Sequence, residues 1–130
     1  DGIKQHGNMK FNQFEDIVAW QKAIQLSVDV YQVFEDSRDW GFKNQIQRAA
    51  VSVSNNIAEG FERQTNAEFC HFLYTAKGSC GEVRSMVYLA KELMMITEEQ
   101  YQSLMAQCFE ISRMLSSLIK TLSPNSTPAK

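Results

Sequence analysis

The stretch QIQRAAVSVSNNIAEG, residues 45–60, decides the fold. Its apolar residues Ile46, Ala50, Val53 and Ile57 are spaced four, three and four apart, which places them on one face of an α-helix. Both prolines of the chain lie near its end, so no proline interrupts this pattern. The stretch therefore predicts a helix with one buried face, and three other blocks of the chain repeat its spacing.

Start signals divide these blocks into four helices. Residues 37–41 interrupt the pattern after the first block, and the second helix is expected to begin near Lys43 or Asn44. Capping-box sequences at 65–68 and 97–100 predict the starts of the third and fourth helices. Short connections of this kind join antiparallel neighbours. The sequence thus predicts an all-α, antiparallel up-down-up-down four-helix bundle.

The bundle is expected to occupy residues 13–122. Residues 1–12 read as a polar leader or an added extension, with Met9 as a candidate natural start. Residues 123–130 are polar and contain both prolines, which predicts a disordered tail.

The first helix carries two apolar faces. One stripe consists of Ile17, Trp20, Ile24, Val28 and Tyr31, and periodicity leaves open which of the two stripes faces the bundle core. A second stripe lies roughly 150–200° away at 100° per residue; it consists of Ala19, Ala23, Leu26, Val30 and Val33. A helix of a lone bundle needs only one such face, so the second stripe is the expected interface of a homo-oligomer.

Charge and composition narrow the class of protein. The 130 residues carry a formal net charge of −2, which lacks the basic excess of a dedicated nucleic-acid binder. The three cysteines follow no metal-ligand spacing and indicate reduced thiols. No apolar run approaches the roughly 20 residues of a membrane span, and no signal-peptide core is visible, so we expect a cytoplasmic protein without a membrane partner.

Metal and nucleophile patterns are weak. Glu68 and His71 are spaced as ligands of a di-iron site, but a second copy of the pattern is needed and Glu68 is already assigned to a capping box. Gly78 and Gly81 lie inside a helical pattern, where close helix packing explains them better than phosphate binding. We therefore expect no catalytic residue, no metal and no cofactor.

Polar residues on the second and third helices are expected to meet. With a turn centred near residue 63 or 64, antiparallel pairing places Arg48 beside Ser79 and Gln45 beside Glu82. We interpret the set as a buried polar clasp that fixes helix register; its members are Gln45, Arg48, Asn56, Glu59, Ser79 and Glu82. An RNA-contacting site is the alternative interpretation.

The same stretch, 45–60, resembles the signature of one bacterial family. Segments VAWQKA (18–23), EFCHFL (68–73) and AKGSCGE (76–82) also fit that family. These are the four-helix-bundle proteins encoded in intervening sequences of 23S ribosomal RNA genes, and the resemblance covers about residues 11–122.

The resemblance implies a ring-shaped homopentamer. It also implies two roles, because a relative, the accessory variability determinant of diversity-generating retroelements, is a reverse-transcriptase partner that binds nucleic acid. Three positions depart from the family pattern: Gln47 replaces an arginine, Lys43 a threonine and Ser54 a proline. The loss of the arginine weakens any RNA-binding face on this helix.

We therefore expect a non-enzymatic oligomer that binds or scaffolds RNA, with an accessory subunit of a nucleic-acid enzyme such as a reverse transcriptase as the alternative. A metal-centre enzyme comes last. Lys43 and Arg63 are the expected RNA contacts, because their region has a small local excess of positive charge. Four tyrosines are candidates for base stacking, although core edges explain most such residues; they are Tyr31, Tyr74, Tyr88 and Tyr101.

Overall fold

A computed structural model describes residues 4–6 and 9–123 and confirms four helices. They are α1 (Val18–Val33), α2 (Trp40–Phe61), α3 (Asn66–Glu92) and α4 (Glu98–Leu122). Each packs against the next along the chain, and α1 also packs against α4, which closes the bundle. None of these described helices combines the length and the apolar character that crossing a membrane requires.

The N-terminal segment has more structure than expected. Strands β1 (Lys4–His6) and β2 (Met9–Phe11) pair antiparallel, with Lys4 opposite Phe11. A 3-10 turn over Phe14–Asp16 then leads into α1. The Phe11 ring lies 6.2 Å from the ring of Phe61, which ties the hairpin to the end of α2. Part of the stretch predicted as a polar leader therefore forms paired strands, and the bundle is preceded by them. The expected disordered tail lies, from residue 124 onward, outside the described residues.

Side-chain caps set the helix starts. The capping boxes at Thr65 and Thr97 both form, as predicted. The predicted start of α2 near Lys43 is wrong, because the Asp39 carboxylate accepts a hydrogen bond of 3.1 Å from the Phe42 amide. This cap begins the helix at Trp40 and places Gly41 in the first turn. The helix tolerates glycine there because the amides of the first turn have no partner within the helix.

The core confirms the inner stripe of α2 and shows which stripe of α1 faces inward. Ile46, Ala50, Val53 and Ile57 are fully buried. On α1 the buried residues are Ala19, Ala23, Leu26 and Val30, with Val33 packed at the core edge. The predicted oligomer interface is therefore wrong, because these side chains fill the chain's own core. The other stripe divides along its length: Ile17 is buried and Trp20 packs at the core edge, whereas Ile24 (39%), Val28 (42%) and Tyr31 (48%) are exposed.

The end of α3 is a tight turn. α3 ends at Glu92, and the Met94 side chain is 82% exposed. Met94 adopts φ 59°, the Met94 amide donates to the Lys91 carbonyl, and the Met95 amide donates to the Ala90 carbonyl. This is a Schellman ending with methionine in the left-handed position that usually favours glycine.

Candidate functional site

Four of the six clasp residues line one groove between α2 and α3. Gln45, Arg48, Ser79 and Glu82 border this groove, whose volume is about 470 Å³. The Gln45 Nε2 atom donates to the Glu82 Oε2 atom over 3.2 Å, which confirms the predicted register. We call this surface the α2–α3 groove.

A second contact tightens the same helix pair. The hydroxyls of Ser52 and Ser79 lie 2.9 Å apart, and the Asn56 amide donates to the Ser52 carbonyl over 2.8 Å. Glu59 stands apart and accepts from Arg63 over 3.1 Å. Sequence reasoning missed Ser52, although it lies one turn before Asn56 on the same face.

The clasp is not buried. Gln45, Arg48, Glu59 and Glu82 are exposed, and only Asn56 and Ser79 are half-buried. The expectation of a buried clasp is therefore wrong: its charged members lie on the outer half of the two helices. The hydrogen bonds of Glu82 with Gln45 and of Glu59 with Arg63 are exposed to water, which limits their contribution to stability.

The structure does not bring the expected RNA contacts together. Lys43 donates to the Glu35 carbonyl over 2.8 Å and lies 4.9 Å from the centre of the Trp40 ring. Arg63 pairs with Glu59, and its guanidinium lies 4.7 Å from the Phe72 ring centre. These two cations stand near opposite ends of α2, about 30 Å apart along the helix at 1.5 Å per residue. They do not form one patch.

A different groove, between α3 and α4, collects cations and aromatic rings. Its volume is about 290 Å³, and its lining residues are Gly81, Arg84, Ser85, Tyr88 and Met105. The Arg84 guanidinium lies 4.4 Å from the centre of the Phe109 ring, which extends the surface along α4. We call this surface the α3–α4 groove.

A second cation lies near the C-terminal end of α3. The Lys91 ammonium lies 4.3 Å from the Tyr101 ring centre and 3.7 Å from the Glu98 carboxylate. The rings of Tyr88 and Tyr101 meet edge to face at 6.5 Å. Sequence reasoning missed this groove as a basic site, although Lys77, Arg84 and Lys91 recur every seven residues on α3. That heptad spacing is the signal that could have found it.

The two glycines of α3 do not serve close helix packing. A Cβ atom added at Gly78 or Gly81 would meet nothing within 4 Å, which corrects the packing interpretation. Gly60 is the contrasting case, because a Cβ atom there would lie 2.7 Å from the Phe72 Cβ atom. Close packing of α2 on α3 therefore depends on Gly60, whereas Gly81 leaves open space in the α3–α4 groove.

Two thiols and the Glu68 carboxylate have structural partners in the described part of the chain. Cys80 and Cys108 are fully buried, and the Cys80 thiol donates to the Cys108 carbonyl over 3.2 Å. A hydrogen bond to Cys80, together with burial, raises the pKa of the Cys108 thiol, which keeps it protonated. The Glu68 carboxylate accepts from the Thr65 amide in the capping box, while His71 is exposed. Among residues 4–6 and 9–123, no three His, Cys, Asp or Glu side chains are grouped to hold a metal.

Comparison with known proteins gives the family. Residues 15–117 match the family model described as 23S rRNA-intervening sequence protein. The fold is similar to a crystal structure of a protein of unknown function from the S23 ribosomal protein family of Bacteroides thetaiotaomicron. That likeness has a TM-score of 0.74 and 27% sequence identity, and it covers 78% of this chain and 98% of that one. No curated protein gives a significant match. The chain belongs to the 23S rRNA-intervening sequence protein family.

Proposed function

We propose that this protein is a non-enzymatic homo-oligomer, a pentamer, that binds or scaffolds RNA in the cytoplasm. The observation that carries the oligomer is the outward stripe of α1. Ile24, Val28 and Tyr31 are exposed on the face that does not contribute to the core. Contiguous apolar surface of this kind marks interaction sites in soluble proteins. The pentameric number rests on the family resemblance.

Light scattering coupled to size-exclusion chromatography tests the assembly. The expected mass is five times the chain mass of 14.9 kDa. Tyr31→Asp, on the outward stripe, is expected to lower the mass, because a charge there would be desolvated in the interface. Tyr74→Asp is the matched control, since Tyr74 is equally an exposed tyrosine but lies on α3. A wild-type mass of one chain contradicts the oligomer.

RNA association is supported by the family and by local charge. Family members are encoded in intervening sequences of 23S ribosomal RNA genes, and the α3 cations recur on one side of the bundle. With a formal charge of −2 per chain, binding has to use a local patch and to weaken steeply between about 50 and 200 mM salt. Titration of a labelled 23S ribosomal RNA fragment measures this. No binding by wild type at the lower salt concentration contradicts the RNA role.

An accessory subunit of a nucleic-acid enzyme, such as a reverse transcriptase, is the second candidate. A separate apolar cluster at the end of α3 favours it: Leu89, Leu93 and Met94 are exposed together. Surfaces of this kind suit a protein partner. Co-purification with the product of a neighbouring reverse-transcriptase gene, lost in Leu93→Asp, would support this role over the first.

A further inference from the structure

We propose that the α3–α4 groove binds a single-stranded segment of nucleic acid, with its phosphates on the α3 cations and an unpaired base against the aromatic rings. This inference rests on the proposed RNA role and assigns it a surface. It replaces Lys43 and Arg63, the contacts expected from sequence, with a site on the other side of the bundle.

The first observation is an unsatisfied cation. The Arg84 Nε atom is buried and has no hydrogen-bond acceptor, and Arg84 makes no ion pair within the described residues. Its guanidinium lies against the Phe109 ring. A buried donor without an acceptor is costly, and a phosphate in the groove would pair with the guanidinium charge, which no acidic side chain of the described residues neutralises.

The second observation is the row of cations to which Arg84 belongs. Lys77, Arg84 and Lys91 lie on the same side of α3 and span about 21 Å at 1.5 Å per residue. Lys77 makes no ion pair within the described part of the chain, and only Lys91 is matched, by Glu98. A linear polyanion lying along α3 would meet all three positive charges in turn.

The third observation is exposed aromatic surface beside these cations. Tyr88 is 55% exposed and packs against the half-buried ring of Tyr101. Phe109 is 41% exposed and packs against the half-buried side chain of Arg84. Rings in such positions stack on bases without sequence preference, but only where the bases are unpaired. Alternating cations and rings therefore favour a single strand over a duplex.

The fourth observation is room for the ligand. Gly81 lies in the interior of α3, where glycine weakens a helix relative to alanine, and no neighbouring group fills the space beside it. The groove volume of about 290 Å³ suits one base and its sugar. An acidic peptide would also satisfy the cations, but it would leave the exposed rings without a partner.

The experiment measures fluorescence anisotropy of a labelled short single-stranded RNA at about 50 mM salt. Gly81→Leu fills the groove without changing charge, and Gly78→Leu is its matched control outside the groove lining. We expect Gly81→Leu to weaken binding about tenfold, the loss of one stacked base, and Gly78→Leu to leave it unchanged. Thermal melts and light scattering verify that both variants fold and keep the wild-type mass.

A charge-matched pair gives a second, independent test. Lys77→Glu/Arg84→Glu and Lys43→Glu/Arg63→Glu both change the formal charge from −2 to −6. We expect a much larger loss of RNA binding for the first pair. An unlabelled polyglutamate and an abasic strand serve as competitors, and both are expected to displace the RNA poorly.

The results of these experiments distinguish a failure of the α3–α4 groove as the binding site from a failure of the proposed RNA role. RNA binding by wild type that Gly81→Leu leaves intact overturns the groove and preserves the RNA role. Failure of wild type to bind contradicts both. Equal competition by polyglutamate would assign the groove to an acidic peptide, and a reduced oligomer mass for Gly81→Leu would assign it to a second copy of the chain; either result overturns this proposal.

Discussion

The two sides of α3 are built differently. Toward α2, the helices approach closely at Gly60, and polar side chains pair across the boundary, as Gln45 does with Glu82. Toward α4, Gly81 faces open space and Arg84 has an unsatisfied Nε atom. The comparison separates polar groups that fix helix register from polar groups that remain available to a ligand.

The same residue type has opposite roles on the two sides. Where a neighbouring side chain occupies the space of the absent Cβ atom, glycine allows two helices to pack closely. Where that space is empty, glycine only lowers the stability of the helix. The first is explained by the fold of a single chain. The second leaves room for a ligand where the glycine lines a groove, as Gly81 does and Gly78 does not, and three substitutions sharpen this contrast.

Gly60→Ala is expected to have the largest effect on stability. Its Cβ atom would lie 2.7 Å from the Phe72 Cβ atom and 2.9 Å from the Phe69 Cδ1 atom, so α2 and α3 have to separate. Overpacking of this kind costs about 1–3 kcal/mol. Urea denaturation measures the free energy of unfolding, and a stability equal to wild type would mean that the helix pair is loosely packed.

Gly81→Ala is expected to raise stability by about 0.5–1 kcal/mol, because alanine favours the helix and meets no neighbour. Gly78→Ala is the matched control and should give a similar gain. A loss of stability in Gly81→Ala alone would show that the groove is filled in the free protein.

Glu82→Ala is expected to have the smallest effect, below about 0.5 kcal/mol, since an exposed hydrogen bond is largely replaced by water. Sequence reasoning assigned Glu82 to a buried clasp, but its side chain is exposed. A double-mutant cycle with Gln45→Ala isolates their coupling. A coupling above about 1 kcal/mol would restore a structural role for this pair.

Sequence alone predicted the features that local chemistry controls. The capping boxes at Thr65 and Thr97 and the register that pairs Gln45 with Glu82 follow from residue type and spacing. The later start predicted for α2 failed because Trp40 and Gly41 look like a break until the Asp39 cap is seen.

Sequence could not predict which face of α1 is buried. Both stripes are apolar, and periodicity gives the presence of a face but not its direction. Small side chains such as Ala19 and Ala23 let α1 approach its neighbours, which explains why that stripe, and not Ile24 and Val28, turned inward. The α3–α4 groove was missed for a related reason: its open space is a property of neighbouring helices and not of Gly81 itself.

The salt dependence of RNA binding tests the contrast between the two sides of α3 most directly. Arg84→Gln removes a cation from the α3–α4 groove, and Arg48→Gln removes one from the α2–α3 groove. For a single strand, the loss of one phosphate contact reduces the slope of log binding constant against log salt by about 0.7. We predict this reduction for Arg84→Gln and an unchanged slope for Arg48→Gln. The reverse result would place the nucleic acid on the α2 side and contradict the account.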